Sequence, residues 1–120
     1  MVASAQPGTK TVENRERLAS RIGLSMKAIE AFCDRWQVDE LALFGSVLRD
    51  DFGPESDIDI LIRFKTERTP GLFGIVEMEW ELGDMFGRRV DLVTRAAIED
   101  SRNYIRRKAI LESAQVVYAA

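Results

Sequence analysis

The 120-residue sequence contains no histidine. That absence removes Ser-His-Asp and Cys-His nucleophilic catalysis, along with every metal site that needs an imidazole. One cysteine, Cys33, leaves no partner for an internal disulfide. No apolar run approaches the ~20 residues that a bilayer-spanning helix requires, so no membrane partner is expected. Met1 to Lys10 has no apolar h-region of the kind that opens a secretory signal, and the expected setting is cytoplasmic and reducing. A formal charge of −3 supplies no overall pull toward nucleic acid. Chemistry must therefore rest on carboxylates, a hydroxyl, basic side chains or a metal bound through oxygen.

What is present is ordinary for a globular chain: 46% hydrophobic and 31% charged residues, at a length that one hydrophobic core serves. Residues 1–10, with Pro7 and Gly8, read as a flexible tail, and residues 11–120 as one domain that starts with a pair of helices. Thr11 to Ile22 has helical spacing through Val12, Leu18, Ala19 and Ile22, and Gly23 stands where a helix ends. Ser25 reads as the N-cap of a second helix, to about Trp36, whose Met26, Ile29, Phe32, Cys33 and Trp36 should face the core. Cys33 is then a small apolar residue, with a redox role as the alternative. The segment Ala19–Ile29 also has the layout of a DNA-binding helix-turn-helix. Its second helix sets Glu30 and Asp34 against Lys27 and Arg35, which favours a cover for the sheet, with operator DNA binding as the alternative.

The densest stretch follows. Val38 to Phe44 is the first strand, its apolar run Leu41 to Phe44 leading into Gly45-Ser46, and Val47-Leu48-Arg49 can make a helical turn. Such a junction leaves backbone N–H groups unpaired, Gly45 allows close approach of a ligand, and the Ser46 hydroxyl can donate to a phosphate. A polar connection with Gly53-Pro54 leads to Asp57-Ile58-Asp59-Ile60-Leu61-Ile62, which alternates as a strand does. Asp57 and Asp59 share one face, roughly 6.6 Å apart along the chain, and Ile58, Ile60 and Ile62 share the other. Two carboxylates so held repel unless a cation lies between them, and Mg²⁺ is the hard cation that takes such ligands together with substrate phosphates. The bland alternative is a wet strand face beside an ordinary turn.

Beyond the connection Lys65 to Pro70, Gly71 to Phe86 reads as a helix capped by Gly87. Leu72, Phe73, Val76, Trp80 and Gly83 form its expected core stripe, and Glu77, Glu81 and Asp84 a solvated side. Arg88 to Thr94 is a third strand that should lie beside the second in a mixed sheet. Asp91 stands in it as an acid among apolar residues, which must be paired or on a metal, Arg49, Arg88 and Arg89 being the nearest candidates for a salt bridge. Arg49 itself can steady phosphate charge or pair with Asp50 or Asp51. Ala96 to Leu111 is expected to be mostly helical, with Tyr104, Ile105, Ala109 and Ile110 supplying apolar contacts and Arg102, Arg106, Arg107 and Lys108 as a basic strip. Gln115 to Tyr118 closes the chain as a short strand.

Phe-Gly-Ser, then Arg49, then Asp57-Ile58-Asp59 ten residues after Ser46, resembles the signature of the polymerase-β-type nucleotidyltransferase superfamily. The context is similar to its smallest branch, the minimal nucleotidyltransferase (MNT) domains, from about Leu41 to Thr94. The resemblance implies an α+β fold, a small mixed sheet packed by helices. It implies Asp57, Asp59 and Asp91 as catalytic residues and Mg²⁺ ligands, and Gly45, Ser46 and Arg49 as nucleotide-binding residues. It further implies ATP as substrate and, as partner, a HEPN-domain RNase toxin whose tyrosine receives AMP. The alternatives are an antitoxin that acts by binding alone and a nucleotidyltransferase of a small molecule or RNA end.

Overall fold

The computed structural model describes residues 17–65 and 70–120. The expected tail 1–10, Val12 and the connection at 66–69 lie outside the described residues. Residues 17–21 are helical (α1). The chain then passes through α2 (Met26–Trp36), β1 (Val38–Phe44), a 3₁₀ turn (Gly45–Leu48), β2 (Ile58–Phe64), α3 (Leu72–Phe86), β3 (Val90–Thr94), α4 (Arg95–Glu99), α5 (Tyr104–Ser113) and β4 (Gln115–Ala119).

The four strands form one sheet in the order β3-β2-β1-β4. β1 is antiparallel to β2 and β4, whereas β2 and β3 run parallel, as expected for a mixed sheet in which α3 carries the chain over. Alternation decides the faces. Leu41, Leu43, Ile58, Ile60, Ile62, Val90 and Leu92 point into the main core, where Ile29, Phe32 and Cys33 of α2 and Met78 and Leu82 of α3 meet them. Ala42, Phe44 and Leu61 point to the opposite face, covered by Ile98 of α4 and Ile110 of α5. The sheet is therefore packed by helices on both sides, and only its ends are open for chemistry.

The helical pair at the start forms as its punctuation requires. Gly23 takes a left-handed φ of 81°, and the Leu24 amide donates to the Ala19 carbonyl, closing α1. Ser25 then caps α2 by accepting from the Ala28 amide. Ala19 and Ile29, two of the residues behind the helix-turn-helix reading, are buried in the main core. Cys33 is fully buried, and burial, reinforced by Asp34 and Glu30, pushes its thiol up to about 12, so it is no thiolate at neutral pH.

Two helix readings need correction. On α3 the stripe Leu72, Phe73, Trp80 is exposed, and Met78 and Leu82 are the buried residues, with Ile75, Met85 and Phe86 partly buried beside them. The helix is apolar on two stripes, and only one of them can face Ile58, Ile60 and Ile62. Glu81, assigned to solvent, instead accepts from Trp36 Nε1 at 3.0 Å and pairs with Arg35, tying α3 to α2. The expected helix Ala96–Leu111 is two helices, because Thr94 caps α4 and Asn103 caps α5, each accepting from an amide three residues on. Of the four residues expected to supply apolar contacts only Ile110 is buried, while Tyr104 and Ile105 are exposed. The turn between the helices rotates the second helix away from the phase that a continuous helix would keep.

The choice of α3 stripe is directly measurable. Met78→Ala should cost about 2–5 kcal/mol in urea unfolding, and Leu72→Ala within about 0.5 kcal/mol. Equal losses would reverse the assignment of faces.

Candidate active site

β1 ends at Phe44, and Gly45 turns the chain with φ 77° into the 3₁₀ turn. Only glycine serves at this position, for two reasons. A side chain is strained at that φ. A Cβ there would also lie 2.3 Å from Oδ2 of Asp59, so backbone and carboxylate occupy the space that any other residue would need. Asp59 faces Phe44 across the β1–β2 ladder, which is what brings the turn against it.

The parallel pairing of β2 with β3 sets Asp91 opposite Asp59 in register, on strands about 4.8 Å apart. Asp57 lies one residue before β2, not inside it as expected, and is exposed. It is positioned through its loop. Ser46 Oγ donates to the Asp57 carbonyl at 3.4 Å. Arg88 Nη1 donates to the carbonyls of Gly53 at 2.6 Å and Ser56 at 3.1 Å, and its guanidinium lies 4.3 Å from the Phe52 ring centroid. Arg21 of α1 approaches the same ring at 5.5 Å and donates to the Arg49 carbonyl. The β1–β2 loop is thus held from both ends of the chain.

Two of the acids act electrostatically on the third. Burial first, then Asp91 and Asp57, raise the Asp59 carboxyl above its ordinary value, while Arg49 and Arg106 oppose the rise. Asp91 is exposed, so it is not a carboxylate forced into an apolar strand; of its salt-bridge candidates, Arg49 pairs with Asp51 at 3.2 Å and Arg88 with the loop carbonyls, while Arg89 lines the same cleft as Asp91. Arg106 of the basic strip exerts its field on Asp59, whereas Arg107 stacks over Tyr104 at 5.2 Å and donates to the Glu99 carbonyl.

Asp57 and Asp91 border an open cleft of ≈ 880 Å³ whose other wall is α3 and the start of β3, with Glu79, Trp80, Asp84 and Arg89 in its lining. Asp59 is not in that lining; it sits against Gly45. Glu79 escaped the sequence reading. Its Oε2 accepts from the Leu92 amide at 2.8 Å, satisfying an edge-strand N–H next to Asp91. The signal for it was an edge strand needing a partner, which only the strand order reveals.

As the side chains stand, no group of three acidic or thiol side chains among the described residues closes round a point that would hold a metal. The donor set still fits a hard cation. It is all oxygen, Asp57 and Asp91 both act on Asp59 as like charges, and the absent side chain at Gly45 lets the Asp59 carboxylate lie against the turn.

The nucleotidyltransferase domain family matches residues 25–117, and the chain belongs to it. Over 66 residues it is 38% identical to the protein adenylyltransferase MntA of Thermococcus cleftensis, a stretch that is 55% of this chain and 65% of that protein. The chain thus spans just under two thirds of that relative's length. The fold is similar to that in a crystal structure of a toxin–antitoxin with AMP-PNP (TM-score 0.63, 18% identity, 81% of this chain and 75% of that one). It is also similar to that in a tri-AMPylated Shewanella oneidensis HEPN toxin in complex with an MNT antitoxin (TM-score 0.55, 18% identity, 79% and 70%). Among the described residues no helix is long and apolar enough to cross a membrane.

The raised Asp59 carboxyl has a sign that can be checked. Folding costs more once Asp59 must ionise, so its contribution is most favourable below 3.8 and falls as pH rises through the higher folded value. Without divalent cations, Asp59→Asn should melt at or above the wild type at pH 7, and the difference should vanish below pH 3.8. Calorimetry at the two pH values measures this. Gly45→Ala should lose about 1–2 kcal/mol from its φ alone, with a further cost from the displaced carboxylate.

Proposed function

We propose that this chain is a Mg²⁺-dependent protein adenylyltransferase antitoxin, which transfers AMP from ATP to a tyrosine of a cognate HEPN-domain RNase toxin and so silences it. The observation that carries the reading is the arrangement of Gly45 against Asp59 with Asp91 in register beside it. A turn without a Cβ lies directly against the Asp59 carboxylate, next to two further acids, an excess of negative charge that suits a cation bound together with phosphates. The fold shared with the AMP-PNP and HEPN complexes and the relationship to MntA support the choice of nucleotide and acceptor.

Asp57, Asp59 and Asp91 would hold Mg²⁺, which supplies charge neutralisation of the phosphates and a lower pKa for a bound hydroxyl. Gly45 and Ser46 receive the triphosphate through backbone N–H groups, and the Ser46 hydroxyl exchanges its long bond to the Asp57 carbonyl for one to a phosphate oxygen. Arg49, held only by an exposed pair with Asp51, adds positive charge that acts on Asp59. The tyrosine oxygen attacks the α-phosphorus in line. One O–P bond forms, the bond to the bridging oxygen breaks, pyrophosphate leaves, and Asp91 receives the phenolic proton. Positioning and fixed charge account for the acceleration, because there is little covalent chemistry for the protein to perform.

Mass spectrometry of the toxin co-expressed with this chain tests the reading. The toxin should gain AMP-sized increments with the wild type and none with Asp57→Asn/Asp59→Asn, a loss of at least about 10³-fold in rate for machinery of this kind. A toxin silenced equally by both, without added mass, would instead make this a binding antitoxin. Mg²⁺ should raise the melting temperature of the wild type and leave that of the double variant unchanged, a readout independent of activity.

A further inference from the structure

The stripe of α3 that the sheet does not use has no partner within the described chain. Leu72, Phe73 and Trp80 are 78%, 86% and 72% exposed. Leu72, Val76 and Trp80 recur every four residues, so they lie along one line of the helix, roughly 12 Å long, opposite Met78 and Leu82. Large apolar side chains in such a line mark an interaction surface more often than scattered ones do.

Two further features identify the occupant. The stripe runs into the candidate active site, because Trp80 belongs both to it and to the cleft that Asp57 and Asp91 border. Anything seated on the stripe is therefore carried to the edge of the carboxylates. The charge on the helix itself also has one sign. Leu72–Phe86 holds four acids and no base. Glu81 is engaged by Trp36 and Arg35, and Glu79 by the Leu92 amide, which leaves Glu77 and Asp84 exposed beside the stripe. An acidic rim repels a polynucleotide and suits a protein surface that is apolar with basic flanks.

We infer that the outer stripe of α3 is the docking surface for the acceptor protein, and that it delivers the acceptor hydroxyl to the cleft. This rests on the adenylyl-transfer reading for the identity of the acceptor. The surface matches the need of a small catalytic chain that must receive its acceptor ready-made: Trp80 is the anchor nearest the chemistry, and Leu72 and Phe73 are the anchors farthest from it.

The test is Leu72→Glu/Phe73→Glu, two exposed positions away from the carboxylates, whose melting temperature should match the wild type. Titration of the cognate HEPN toxin into each protein by calorimetry should show binding weakened at least ten-fold. The KM for toxin in AMP transfer should rise by a similar factor, with kcat at saturation within two-fold and binding of a fluorescent ATP analogue with Mg²⁺ unchanged. Equal toxin affinity in both proteins would overturn the inference even if transfer proceeds. A wild type that binds toxin through the stripe but adds no AMP would overturn the adenylyl-transfer reading and leave the docking surface standing. A wild type dimeric in light scattering, with the variant monomeric, would reassign the stripe to a second copy of this chain. Loss of single-stranded RNA binding in the variant would reassign it to nucleic acid. Either reassignment overturns the proposal.

Discussion

Repulsion among carboxylates is the constraint on which the rest of this structure depends. Asp59 is half-buried, Asp91 is its register partner on the neighbouring strand, and Asp57 acts on it from the loop ahead. Left to itself, such a group would spread into solvent. The fold prevents that with rigid parts. Asp59 and Asp91 are fixed by strands whose opposite sides carry Ile58, Ile60, Val90 and Leu92 into the main core. Moving an acid away would take a buried isoleucine or leucine with it, at a cost of kilocalories per residue. The core therefore stores an arrangement that electrostatics alone would reject.

Each surrounding element has a place in that arrangement. β1 presents Gly45 at the level of Asp59 because Phe44 is Asp59's partner in the ladder. α3 buries Met78 and Leu82, and from its other sides supplies the edge-strand partner Glu79 and the cleft wall at Trp80. Helices α4 and α5 cover the face that bears Asp59 and Asp91 as far as Leu61, and stop short of the acids. An ion-pair network of Arg63, Asp39, Glu40, Arg95 and Glu99 lies along the same side of the sheet, at partly exposed positions where pairs of this kind contribute little each.

Much of this was legible in the residues. Period-two alternation gives β2 and the facing of its isoleucines, Ser25 and Gly23 give the helix ends, and Asp91 inside Val90–Thr94 gives the third strand and the third acid. What was not legible depended on which of two equivalent options the tertiary structure would select. α3 is apolar on two stripes, and periodicity cannot say which one meets a sheet that lies far away in sequence. Thr94 and Asn103 are helix caps, but each also sits comfortably within a helix-compatible run, so the break at 100–103 was hidden. Glu79 could not be singled out from Glu77 and Glu81 until the strand order made β3 an edge. Asp91 is exposed, so confinement in an apolar strand does not single it out; its register with Asp59 does.

The arginine–phenylalanine stack at Phe52 separates two kinds of order in this molecule. Asp59 and Asp91 belong to the sheet and persist as long as the sheet does. Asp57 lies in a loop whose shape depends on Arg88 from behind β3 and Arg21 from α1, through cation–π contacts and carbonyl hydrogen bonds at the surface. Such contacts are far weaker than the core, so the loop can open while the strands remain paired. The geometry of the acid cluster and the integrity of the fold are consequently separate equilibria. Mild denaturant or proteolysis would move Asp57 out of place well before any probe of the sheet recorded a change.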